Sequence, residues 1–281
     1  MRRLVITADD LGREPDTDEV VLDLVADGAV TSATLIPVAP GSAATARRAR
    51  ALGLQPRLHA TLTSERGLPP WRPLTARSHS EPGDAGPVLD PLPVDPQAVD
   101  PANPGPILTE LDAQLTWFAD QGLTPQAADG HGGVLYGLGG LRGASLLPQA
   151  LAWCSARGLA FRLPRDLAPL VGRLTGALAG LENSHAKAVA LADELGVALP
   201  RATVTNSADV AQLGSYEALR EDLLARLDAL GEGVSEVFLH PSSADAVPEA
   251  PVRAWEARLL RDPLWRRGLD RLGFDLVEGW W

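Results

Sequence analysis

Short apolar runs alternate along this chain with stretches of helical period. Leu4-Val5-Ile6 reads as a buried strand; Val20, Val21, Leu24 and Val25 then recur at helical spacing until Asp27-Gly28 closes the segment. Residues 33–38 predict a second strand, the Ala/Arg-rich residues 43–52 a helix closed by Gly53, and residues 57–62 a third strand. Residues 107–122 put Leu108, Leu111, Leu115 and Phe118 on one helical stripe. Residues 127–136 carry a strand tip and a Gly-rich loop, 146–157 a helix, 159–163 a strand, and 170–195 an Ala/Leu-rich helix with breaks at Gly176 and Gly180. Residues 216–230 predict a helix and 234–239 a strand leading into His240-Pro241. Residues 253–272 predict a helix interrupted at Asp262-Pro263, and 274–277 a last strand. This β-α-β-α alternation predicts an α/β fold, a parallel sheet covered by helices. A single barrel-like domain over residues 1–281 is expected, with an open doubly wound sheet as the alternative.

One segment departs from the rhythm. Residues 69–106 hold eleven prolines and few apolar residues. A solvated linker would fit that composition, but the flanking segments read as one continuing fold. A loop or lid over the site is therefore expected. The tail Trp280-Trp281 has two candidate places, a subunit interface or the barrel itself.

Composition narrows the function. Hydrophobic residues make up 45% of the 281, enough for a sizeable core. The formal net charge of −11 argues against a nucleic-acid partner and against docking on an anionic membrane, and favours a small or neutral substrate. The one cysteine, Cys154, reads as a buried helix residue; with no internal disulfide available, a reducing cytoplasm is the expected compartment. No apolar stretch reaches the length of a membrane span.

The candidate chemistry sits at predicted strand ends. Thr7-Ala8-Asp9-Asp10 follows the first strand, and adjacent carboxylates there are costly to bury unless used. His59 lies in Leu58-His59-Ala60-Thr61-Leu62-Thr63, His131 in Asp129-Gly130-His131-Gly132-Gly133, and His240 in Phe238-Leu239-His240-Pro241. In a parallel α/β fold all these ends face one side. Two imidazoles and one carboxylate suit a divalent cation, which lowers the pKa of water toward about 7. A second carboxylate can take the proton of that water, and a protonated histidine can give a proton to the leaving amine, which makes a kit for amide hydrolysis. His79 and His185 read as surface residues.

The order of these motifs resembles the YdjC/ChbG-like (HpnK-type) carbohydrate deacetylases nearly end to end. Ile6-Thr7-Ala8-Asp9-Asp10-Leu11-Gly12 is similar to that family's ITADDFG, and Gly28-Ala29-Val30-Thr31-Ser32-Ala33-Thr34-Leu35 to GxVTSxxL. Residues 58–63 resemble LHLxLT, 125–131 PTHxDSH, 162–165 RxPRE, 236–241 ExxxHPG, and the tail 253–274 RxxEL…DP…LGI. The resemblance implies an irregular (β/α) barrel of the polysaccharide-deacetylase-like type, acting on N-acetylated sugars such as N-acetylglucosamine units of short oligosaccharides. It implies Asp10, His59 and His131 as ligands of Mg2+ or Zn2+, Asp9 as general base and His240 as acid. Arg162, Arg165, Asp129 and Thr63 would bind substrate or orient the site, and family members are often homodimers. Four positions depart from the pattern: Gly133 and Leu135 stand where histidines are common, Ser242 replaces a glycine, and Asn206 falls near a frequent aspartate.

Two other readings fit the same residues. Two histidines and a carboxylate also form the facial triad of non-haem iron oxygenases, although Asp9 then has no evident task. The Gly132-Gly133 pair would also suit a catalytically reduced member that only binds a sugar or a partner.

Overall fold

The computed structural model describes residues 1–77, 89–137, 145–171, 178–244 and 250–281. Its strands are β1 (Arg2–Leu11), β2 (Ser32–Leu35), β3 (Arg57–Ala60), β4 (Ala127–Gly130), β5 (Ala160–Phe161), β6 (Thr203–Val204), β7 (Gly233–Leu239) and β8 (Phe274–Leu276). The helices between them are α1 (Pro15–Ala26), α2 (Ser42–Ala51), α3 (Pro104–Asp120), α4 (Leu147–Ala156), α5 (Ala168–Val171), α6 (Leu178–Leu195), α7 (Val210–Leu213), α8 (Tyr216–Asp228), α9 (Ala250–Arg261) and α10 (Pro263–Leu272). Gly180 lies inside α6 and does not break it; Gly176 lies outside the described residues. The expected interruption at Asp262-Pro263 is a true boundary. Asp262 caps α10 by accepting from the Leu264 amide at 2.7 Å, and Pro263 needs no donor in the first turn.

All strand pairs are parallel, in the order β5-β4-β3-β2-β1-β7-β6, with β8 added beside the start of β1. The two edges approach each other. The Phe161 amide donates to the Ala198 carbonyl at 3.0 Å, and Asp166 bridges to Ala202 just beyond β5 and before β6. The strands therefore run around a curled, barrel-like sheet in chain order, which removes the open doubly wound alternative.

Period-two alternation sorts the side chains. Leu4, Ile6 and Ala8 of β1, Leu58 and Ala60 of β3, and Phe161 of β5 join the large apolar core under the helices. The intervening residues turn inward and form layers. Val5, Ala127, Ala160 and Trp280 fill one end as a small apolar cluster. Trp280 thus packs back on the barrel, with the Arg57 guanidinium 4.5 Å over its ring, while Trp281 stays half exposed. Above this plug the interior is ionic. The Arg57 guanidinium donates to Glu236 at 2.5 Å and to the Thr7 hydroxyl at 2.8 Å, and that hydroxyl donates to Glu236 at 2.7 Å.

The described parts of the Pro-rich excursion pack on the body rather than forming a solvated linker. Trp71, Leu74 and Leu92 bury against Ile36, Val38 and Ala39. Buried Glu110 of α3 accepts from the Leu74 and Thr75 amides, each at 2.9 Å, and Ser64 ties Leu92 to Trp71. His79 lies outside the described residues.

Candidate metal centre and active site

The C-terminal strand ends bring Asp9, Asp10, His59, Asp129, His131 and Arg162 together, all buried. Asp10 ends the regular part of β1 with φ at 71°, a left-handed backbone unusual for a non-glycine residue and a mark of a constrained functional position. Gly12 follows at φ 93°, and a Cβ there would lie 2.8 Å from the Ile36 carbonyl oxygen, so only glycine closes this turn.

Asp10, His59 and His131 form a group able to hold a metal ion. Asp10 Oδ1 lies 3.3 Å from His59 Nε2 and 3.3 Å from His131 Nδ1, yet it is buried without a hydrogen-bond partner among the described residues. Ligand atoms about 2.1 Å from one cation are spaced roughly 3.0–3.4 Å from each other, so the donor set fits a small divalent ion. The other oxygen, Asp10 Oδ2, accepts from Arg253 of α9 at 2.8 Å. Asp129 stands behind His59, 2.5 Å from its Nδ1, which leaves Nε2 facing Asp10.

Asp9 is kept out of that group by its own partners. Arg162 reaches it with two nitrogens at 2.6 and 2.8 Å, and the Thr34 hydroxyl donates at 2.9 Å. Arg162 also pairs with Asp129 at 2.8 Å and Glu236 at 3.0 Å, so one guanidinium anchors three carboxylates. His240 Nε2 is 3.9 Å from Asp9 Oδ2, and its side chain is about a third exposed, open to a ligand. The His240 amide donates to Glu256 of α9 at 2.6 Å, and Asn206 donates to the other oxygen of Glu256 at 3.0 Å.

The charges are strongly coupled. Burial opposes ionisation of Asp9, but the charge and hydrogen bonds of Arg162 hold its carboxyl well below the usual carboxylate range. Asp10 is likewise held low against its burial by Arg253, His131 and His59. Burial disfavours the His59 imidazolium, yet Asp129 and Asp10 push its pKa up to about 10. The excess of carboxylate is balanced either by protons on the imidazoles or by a cation among them.

The remaining expected residues divide. Thr63 is buried, its hydroxyl against Gly132. Arg165 points away: its side chain is 41% exposed and pairs with Asp193 at 2.6 Å, so it does not orient Asp9. His185 lies part-buried on α6, its ring nitrogen 2.6 Å from the Pro164 carbonyl. Cys154 is buried in α4, and burial pushes its thiol up to about 12. Gly132 and Gly133 have φ of 61° and 74°; a histidine at 133 would need a left-handed backbone, so this loop is shaped for glycine. Sequence reasoning missed Glu65, whose Oε1 lies 3.2 Å from His131 Nε2, and gave no role to Arg253 or Glu256. The local signal for the last two was an Arg and a Glu three apart, which shares one helix face.

A curled parallel β/α barrel with a buried carboxylate–histidine group at its strand ends defines the class of protein. Within that class the chain belongs to the YdjC-like protein family, which matches across residues 3–271. The human protein named carbohydrate deacetylase is 34% identical over 131 residues, 46% of this chain and 40% of the human one, so the likeness spans less than half of either. The crystal structure of a candidate cellobiose-phosphate cleavage protein from Enterococcus faecalis V583 superposes with a TM-score of 0.70. It is 22% identical and covers 98% of this chain and 97% of its own, a likeness of fold. No helix among the described residues is long and apolar enough to cross a membrane.

Proposed function

We propose that this protein is a divalent-metal-dependent hydrolase that removes the acetyl group from an N-acetylated sugar. One observation carries the reading: Asp10 Oδ1 sits orphaned at 3.3 Å from two imidazole nitrogens, beside a second carboxylate, Asp9, that Arg162 reserves for another task. The family membership and the human relative's name support the substrate class.

Asp10, His59 and His131 would hold the cation, Zn2+ or Mg2+, with Zn2+ suited by the two nitrogen donors. When bound it supplies Lewis-acid polarisation of the amide carbonyl and lowers the pKa of water. Asp9 accepts the proton of the attacking water as the new C–O bond forms. His240 gives a proton to the amine nitrogen as the C–N bond breaks, so acetate and a free amino sugar leave. Arg162 and Thr34 fix the Asp9 carboxylate in place, and Glu256 fixes the backbone of His240. Arg165 has no part in this arrangement.

A second assignment of the proton transfers has its own support. Both Asp9 oxygens already accept hydrogen bonds, which weakens Asp9 as a base and favours His240 for both steps, with Asp9 steadying its charged form from 3.9 Å. Acetate release from N-acetylglucosamine oligosaccharides, with and without Zn2+ or Mg2+, tests the activity. Asp9→Asn and His240→Gln separate the roles: if Asp9 is the base, both lose about 10²–10⁴-fold in kcat. If His240 does both steps, Asp9→Asn loses much less than His240→Gln. Sugar binding by calorimetry with no acetate release under any metal would move the protein to the binding-only reading, and O2 consumption would move it to the oxygenase one.

A further inference from the structure

Each of the two imidazoles has a carboxylate on the nitrogen that faces away from Asp10. For His59 it is Asp129, on the neighbouring strand β4. For His131 it is Glu65, which sits between the end of β3 and the Pro-rich excursion, with Oε1 3.2 Å from Nε2. Glu65 is not one of the residues grouped as candidate ligands, and its carboxylate meets the centre at His131. Its own position is set from two sides. Arg13, in the same turn as Asp9 and Asp10, lies 3.4 Å from it through Nε. The next residue back, Ser64, is tied into the excursion by its amide to Pro93 at 2.7 Å and its hydroxyl to Leu92 at 2.7 Å. The Trp71 ring, carried by the same segment, lies 5.6 Å from the His131 ring.

We infer that Glu65 is a positioning residue for the metal centre, fixing the His131 ring and tautomer so that Nδ1 is the nitrogen offered to the cation. The physical basis is general: a carboxylate on the remote nitrogen holds the proton there, orients the ring and strengthens the ligand nitrogen. The segment between β3 and the excursion, which Ser64 ties to Leu92 and Pro93, therefore contributes to metal affinity.

This inference rests on the proposed metal site, and the test separates the two. Co2+ and Zn2+ affinities are measured for wild type, Glu65→Gln and Glu65→Ala, together with the visible spectrum of the Co2+ forms and the thermal unfolding of the metal-free proteins. Glu65→Ala is expected to weaken metal binding by about 10–100-fold and to change the cobalt spectrum. Glu65→Gln, which keeps an acceptor, should lose less, and metal-free unfolding should move little for either. Wild-type affinity and an unchanged spectrum in Glu65→Ala would overturn the role of Glu65. If Glu65→Ala does not fold, the same result in Glu65→Gln with wild-type affinity and spectrum in Glu65→Asp, whose acid is shorter, would overturn it. Absence of metal binding in the wild type would instead refute the metal site itself.

Discussion

At one end of the barrel, β1, β4 and β5 turn Val5, Ala127 and Ala160 inward beneath Trp280. At the other end the inward residues of the same strands, or of their extensions, are Asp9, Asp129 and Arg162. Ala127 and Asp129, or Ala160 and Arg162, are only one alternation apart. The strands that make a small apolar plug therefore also make a cluster of buried ions, and the alternation of the strands does not separate the two. What separates them is how the groups are satisfied. The plug needs only shape, because its atoms have no polar demands. The ionic end needs every charge matched, since a carboxylate stranded by the loss of its partner is far costlier than a missing methyl group. On the proposed function one end serves stability and the other chemistry, the division expected of a parallel barrel.

Several substitutions would break that comparison, and they can be ranked. Asp10→Ala removes the carboxylate of the cation group and should cost about 10³-fold or more in kcat/KM, with loss of bound metal by elemental analysis. Its fold should persist, although Arg253 loses its Asp10 partner. Arg162→Ala attacks the ionic end itself. It leaves Asp9, Asp129 and Glu236 without their shared cation and should lower stability by about 3–5 kcal/mol in urea titrations as well as abolish turnover. Trp280→Ala attacks the plug. It should cost about 3 kcal/mol of stability. The folded enzyme should keep its metal affinity and most of its kcat/KM. Equal losses of activity in Trp280→Ala and Arg162→Ala would show that the two ends act as one unit through Arg57.

Protons sharpen the same contrast. The His59 pKa is raised to about 10 from an ordinary 6.5. In the metal-free protein its contribution to stability is thus fully present below 6.5 and lost as pH rises through about 10. The cation competes for the same imidazole, so metal affinity should rise with pH over that window, with proton release on binding seen by calorimetry in buffers of different ionisation enthalpy. The smallest effect is expected outside both ends. Cys154, buried in α4 with its thiol pushed up to about 12, should resist alkylation at pH 8 until the protein unfolds.

Most elements were legible as alternation and caps, because burial on a strand or helix repeats with a short, local period. Leu4-Val5-Ile6, the Asp262-Pro263 boundary and the strand-end placement of Asp9, Asp10, His59, His131 and His240 all follow from neighbours a few residues apart. The residues that complete the site do not. Arg253 meets Asp10 across 243 positions, and Glu65, just past β3, meets His131, just past β4. Two arginines three residues apart in one motif part company beyond the end of β5, Arg162 entering the barrel and Arg165 leaving it. The tail shows the same limit: Trp280 has two candidate places in the sequence, and the barrel's open end decides between them. The chain alone determined which residue types stand at the strand ends and which face each strand buries. Tertiary structure decided which charges meet, because ion pairs and metal ligands depend on strand register and barrel closure, which no local pattern encodes.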